Sequence, residues 1–143
     1  MTKKAYVMMA IAAVAAALAV PLMAQSIRLT ANIPFEFTVG NKTLPAGEYM
    51  ISNGSAPYVL MFQGEQRHVD ALILTQEAIV RTDNPAGVTR LEFNKYGDRY
   101  FLSEVIDGYV GTGFVAPKPP SERELAKTAS AEHFEVLATL AQR

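Results

Sequence analysis

Apolar and polar residues alternate with a period of two through most of the chain beyond residue 26, the spacing that turns one face of a β-strand toward a core. Ile27, Leu29, Ala31 and Ile33 share a face of the run 27–33. Pro34 lacks a backbone donor, which predicts an edge or a break in pairing there. Phe35, Phe37 and Val39 then alternate, and Gly40-Asn41 supplies a tight turn. Leu44-Pro45-Ala46-Gly47 predicts a second turn, with Pro presetting φ and Gly closing it. A short strand over 48–52 carries Tyr49 and Ile51, and Asn53-Gly54-Ser55 reverses the chain. Residues 58–62 are apolar throughout, as in a strand covered on both faces. Gln63-Gly64-Glu65 leads into a β-type run over 69–75, which residues 76–81 either extend or leave. Residues 82–87 read as a surface loop.

The strongest local signal is a hairpin over 90–102. Gly97-Asp98 suits a two-residue primed turn, because Gly accepts positive φ. That turn pairs Tyr96 with Arg99, Asn94 with Phe101 and Phe93 with Leu102. Leu91, Phe93 and Leu102 then share one face and Glu92, Asn94 and Ser103 the other, with Phe101 and Val105 on the more polar side. Beyond Ile106, Gly108, Gly111 and Gly113, followed by Pro117, Pro119 and Pro120, predict a long irregular connection. Ser121-Glu122-Arg123-Glu124 has the form of a capping box, so a helix is expected over 121–129. Phe134, Val136, Ala138 and Leu140 alternate and favour a final strand over 132–141, although the Ala and Leu content also suits a helix. The fold expected is all-β: a small antiparallel sandwich or partly closed barrel with one short C-terminal helix.

The N-terminus changes the picture. Lys3 and Lys4 precede an uncharged apolar run over 5–20, Pro21 breaks it, and Ala24 offers a small residue before Gln25. Charge, apolar core and small-residue exit in that order predict a secretory signal over 1–24, cleaved between Ala24 and Gln25. The alternative is an uncleaved N-terminal helix that tethers the domain to a membrane. The run is about long enough to span one, but it is mostly Ala, Pro21 interrupts it and no basic stop-transfer cluster follows. Residues 25–143 make a single β-rich domain, of a size that supports one core. Export to the periplasm, cell surface or medium follows from a cleaved signal.

Three segments together resemble a group of short exported bacterial proteins of unknown function: the stretch Asn32-Ile-Pro-Phe-Glu-Phe-Thr-Val-Gly-Asn-Lys-Thr-Leu-Pro-Ala-Gly-Glu-Tyr49, then Lys95-Tyr-Gly-Asp-Arg-Tyr-Phe-Leu102, then Ser121-Glu-Arg-Glu-Leu-Ala126. The resemblance covers nearly all of the mature chain. It implies export and a compact β-rich domain, and it supplies no catalytic residue, ligand or partner.

Composition narrows the chemistry. The 143 residues include no Cys and carry a formal net charge of −1. Disulfides, thiol catalysis and Cys-based metal sites are excluded, and there is no basic excess of the kind a nucleic-acid binder needs. The two His residues are His68 and His133. His68 and Asp70 fall on one face of a strand, where they could share a proton or hold a metal, but no third ligand stands at a recognised spacing. No Gly-x-Ser-x-Gly elbow and no phosphate-binding Gly loop occurs. Glu48 and Glu92 read as solvent-facing. Asn41-Lys42-Thr43 and Asn53-Gly54-Ser55 match glycosylation sequons but read as turns. The candidate ligand or partner surface is Lys95, Tyr96, Arg99 and Tyr100, beside Phe101, because aromatic faces next to cations stack on sugar rings or bind acidic polymers. The same residues also fit a hairpin held by cross-strand contacts.

The expected function is therefore non-enzymatic binding or structural work in the cell envelope or outside, with no cofactor. The partner classes are an envelope component, a glycan or a protein strand, with no nucleic acid, and a membrane only through an uncleaved signal. The alternative is an exported metal-dependent or hydrolytic enzyme using His68 and Asp70.

Overall fold

Alternation does produce strands, and the strands close on themselves. The computed structural model describes residues 27–56, 58–66, 68–80 and 87–141; the expected signal segment with its Ala24–Gln25 junction, and the loop expected over 82–87 except for Gly87, lie outside them. The strands are β1 (Arg28–Ile33), β2 (Phe37–Val39), β3 (Lys42–Leu44), β4 (Gly47–Asn53), β5 (Val59–Gln63), β6 (Val69–Leu74), β7 (Gln76–Val80), β8 (Arg90–Tyr96), β9 (Arg99–Asp107), β10 (Thr112–Val115) and β11 (Glu132–Leu140), and one helix, α1 (Pro120–Ala126), precedes the last. Nine strands in the order β3-β2-β9-β8-β11-β1-β4-β5-β6 form a mixed sheet nearly closed into a barrel. Here β2 comes near β6 across the remaining seam. The pairing is antiparallel except between β2 and β9, which run parallel. That exception departs from the wholly antiparallel sheet expected.

Most side chains predicted to face inward do so, but Phe35, expected to face in beside Phe37 and Val39, lies outside the strands and is only half-buried. Leu29, Ile33, Phe37, Ile51, Leu60, Phe62, Leu91 and Phe93 are fully buried. Phe37 touches Phe62, Phe93 and Tyr49 ring to ring, with centroids 6.4, 5.6 and 5.3 Å apart. The barrel interior is thus filled with side chains, as in small barrels generally. Removing one of these rings would cost about 3–5 kcal/mol. On β5, Leu60 and Phe62 face in while Val59 and Met61 stay half-exposed, so that strand is covered on one face rather than two.

The hairpin between β8 and β9 has the predicted register, with Tyr96 opposite Arg99, Asn94 opposite Phe101 and Phe93 opposite Leu102. Gly97 has φ 60° while Asp98 has no positive φ, the pattern of a type II′ turn. A bulge after Phe93 then pairs Glu92 with Glu104 and Leu91 with Val105. The extra residue, Ser103, returns Val105 to the core face, where it is fully buried.

Several expectations are corrected. Residues 108–113 are not an irregular connection: β9 runs on to Asp107, turns and pairs with β10. Asp107 organises this turn, its Oδ1 accepting the N–H groups of Tyr109 at 2.9 Å and Val110 at 3.3 Å. Gly108 is required there because a Cβ would run into the backbone of Val88. Residues 76–80 take the second of their two expected courses, leaving β6 to pair with β10. Strand β2 starts only at Phe37, and β3 is an additional short strand. The helix covers Pro120–Ala126 rather than 121–129, its N-cap is Pro119, and no capping box forms. Two prolines at the start fix φ and need no amide partner, which moves the helix start ahead of Ser121.

Tyr58 is the one non-glycine among the described residues with positive φ, at 65°. Its carbonyl is held by Thr75, which donates its N–H at 2.8 Å and its hydroxyl at 2.6 Å. Because Tyr58 is exposed, at 45% of its full accessibility, Tyr58→Gly is expected to raise stability by about 1 kcal/mol through relief of the left-handed backbone. Gly108→Ala is expected to lower it by about 2 kcal/mol or more, since backbone must move. Urea unfolding of the two variants beside the parent measures both.

Candidate functional site

The four candidate residues start from one hairpin, but the pleat sends them to two faces. Lys95 and Tyr100 are cross-strand partners at one end of the barrel. The Lys95 ammonium lies 5.7 Å from the Tyr100 ring centre and 3.6 Å from a Glu132 carboxylate oxygen on β11. Tyr100 stacks on Phe35 at 3.8 Å with 13° between planes. Phe134 meets both rings edge-on, at 5.7 and 5.4 Å. Phe35 reaches this position because Pro34 ends β1, so the following residues cross the barrel end outside the ladder. The result is an aromatic cap over the barrel end, with Phe134 exposed and a Lys–Glu pair at its rim.

Tyr96 and Arg99, also cross-strand partners, fall on the opposite face. Arg99 is exposed and its guanidinium lies 5.1 Å from the Phe101 ring centre. Tyr96 is buried, with its ring 5.9 Å from Phe101. Its hydroxyl donates to Glu122 Oε1 at 3.3 Å, and Asn94 Nδ2 donates to the same oxygen at 2.8 Å. Lys95, Arg99 and Tyr100 therefore remain available at the surface to differing degrees, while Tyr96 serves as a packing and hydrogen-bonding group.

Sequence reasoning missed the triad of Asn94, Tyr96 and Glu122. It assigned Asn94 to a polar outer face, and nothing local announces that a helix covers that face. Glu122 lay in the predicted first turn, where an acid is read as favouring the helix N-terminus. Here the carboxylate is instead wholly buried, and its Oε2 has no hydrogen-bond partner.

Two clefts lie at strand ends. The first, about 190 Å³, is lined by Glu36, Thr38, Thr43, Asp98, Arg99 and Tyr100 among others, so two of the candidate residues border it. Thr38 and Thr43 share a hydrogen bond of 3.3 Å across β2 and β3. The second, about 260 Å³, is lined by the 45–49 turn, Gly64, Glu65, Gln66, His68 and Asp70. His68 and Asp70 thus border one cleft. Asp70 Oδ2, however, accepts the Gly64 N–H at 2.7 Å and so closes the β5–β6 turn. His133 stands on β11 opposite Asn94, and no group of three metal-ligating side chains forms among the described residues.

Comparison with known proteins gives no match to a family model, to a curated protein or to a solved structure.

Two buried phenols carry a pH signature. Tyr49 is pushed above the ordinary value of 10.0 by burial and then by the nearby Asp70 charge. Tyr96 is pushed up by burial, then by the charge of Glu122 and its hydrogen bond to that carboxylate. The unfolded chain releases both protons near pH 10, whereas the folded chain keeps them. Their contribution to stability is thus fully present below about pH 10 and is lost as pH rises beyond it. Urea midpoints measured from pH 8 to 11.5 are expected to hold steady and then fall, and Tyr49→Phe with Tyr96→Phe to flatten the fall.

Proposed function

We propose that this chain is an exported, non-enzymatic barrel domain that recognises an envelope component, a glycan or a protein strand with its outer surface, in the periplasm, at the cell surface or outside. The observation that carries this reading is the filled interior. Phe37, Phe62 and Phe93 occupy the space in which a larger barrel holds a ligand, which leaves recognition to the exterior. The aromatic cap of Phe35, Tyr100 and Phe134 with Lys95 at its rim, and the adjoining polar cleft bordered by Arg99, join apolar faces to fixed charges. Such mixed surfaces serve as recognition sites. The secretory signal read from residues 1–24 and the resemblance to exported bacterial proteins support the location.

The test has two parts. Edman sequencing of the protein recovered from cells is expected to begin at Gln25; a Met1 start would instead favour the tethered alternative. Pulldown from envelope extract is expected to capture a defined protein or glycan with the parent chain. The Lys95→Ala/Arg99→Ala double variant should lose roughly tenfold or more of that capture while keeping its unfolding midpoint. Capture of nothing specific would sink the binding reading. Stoichiometric zinc in the purified protein, lost in His68→Ala, would replace it with the metal-dependent enzyme.

A further inference from the structure

We propose that α1 is a detachable strap, which leaves the barrel as a unit and uncovers a second apolar surface on the outer face of β8 and β9, with the Glu122 carboxylate as its latch. The inference does not depend on the binding function proposed above.

A seven-residue helix is too short to persist alone in water, so α1 exists only while docked. Helices ordinarily dock through an apolar stripe. This one has none: Ser121, Arg123, Glu124 and Ala126 are exposed and Leu125 is only half-buried. Among the described residues, Glu122 is the one buried side chain of α1 and the only one that hydrogen-bonds to the barrel. The segment is tied down on either side. The Ala116 N–H donates to the Ser103 carbonyl at 2.8 Å upstream, and Glu132 pairs with Lys95 downstream. The chain from 117 to 131 can therefore swing out without breaking the ladders.

What lies beneath is apolar at its centre. Asn94 faces Phe101 across the ladder and Tyr96 faces Arg99. Phe101 is fully buried and Tyr96 nearly so, yet neither belongs to the core cluster inside the barrel. Two opposed contributions act on the strap. Docking shields the two rings, and buries Pro119 at the helix start as well. It also strips water from a carboxylate whose Oε1 gains two neutral donors and whose Oε2 gains nothing, a cost that undocking relieves. This balance puts strap release well below global unfolding, as for other locally opening elements.

Hydrogen exchange on the full chain tests the idea. In the parent, the N–H groups of Arg123, Lys127, Thr128 and Ala129, which bond within the strap, are expected to exchange by an opening insensitive to low urea. The amides of β8 and β9 should exchange only with global unfolding. Glu122→Ala is expected to speed strap exchange and tryptic cleavage after Arg123 and Lys127 by roughly tenfold or more. It should also raise binding of an apolar fluorescent dye while the barrel amides stay protected; Glu122→Gln, which keeps the shape, should fall between. Strap amides that exchange only together with the barrel would overturn the proposal. So would a Glu122→Ala protein in which β8, β9 and strap all accelerate alike.

Discussion

The barrel depends on the insertion of β11 between β8 and β1. Its residues pair with β8 through Glu132–Leu137 and with β1 through Ala138–Leu140, so the last described strand joins the first to the β8–β9 hairpin. Most of its side chains are exposed and only Val136 is buried. What secures it is a pair of backbone ladders laid end to end, the first half of the strand bonded to β8 and its last residues to β1. Without that strand, β1, β4, β5 and β6 would form one sheet and β2, β3, β8 and β9 another, each with an open flank. Closure therefore waits on the pairing of residues more than a hundred positions apart, a loop-closure cost that local propensity cannot offset.

Filling the barrel with aromatic and aliphatic side chains has a functional consequence. A small barrel either packs its interior or reserves it for a ligand, and the mutual contacts of Phe37, Phe62 and Phe93 take the first course. Chemistry is displaced to the rim and the outer faces. There the pleat matters more than the sequence neighbourhood, because it separates Lys95 and Tyr100 from Tyr96 and Arg99 within one hairpin. The aromatic cap and the strap-covered face thus draw on alternate residues of one hairpin, Lys95 and Tyr100 on one side and Asn94, Tyr96 and Phe101 on the other.

The buried carboxylate of Glu122 departs from the apolar logic of the rest of the fold. A buried carboxylate seldom adds net stability, and in some proteins such a group instead fixes one docking position. Asn94 and Tyr96 accept α1 in a single position because both donors must reach the same oxygen. An apolar stripe would hold the helix more firmly and place it less exactingly.

Strand positions, inward faces, the register of the β8–β9 hairpin and the final strand were readable from the chain. Each rests on side-chain spacing or on turn residues a few positions apart: Leu91 and Phe93 against Leu102, or Gly97-Asp98 between Tyr96 and Arg99. The bulge at Ser103 left a local trace, since the unbroken register put the apolar Val105 on the more polar face. The β9–β10 hairpin was hidden because its glycines read as flexibility, when Gly108 is there to let the Val88 backbone pass. The parallel pairing of β2 with β9, the splitting of the candidate surface and the burial of Glu122 left no local trace. Alternation determines which way a side chain points relative to its own strand. Only the closed tertiary structure decides what lies on each side of that strand, because that depends on which distant segment arrives there to exclude water.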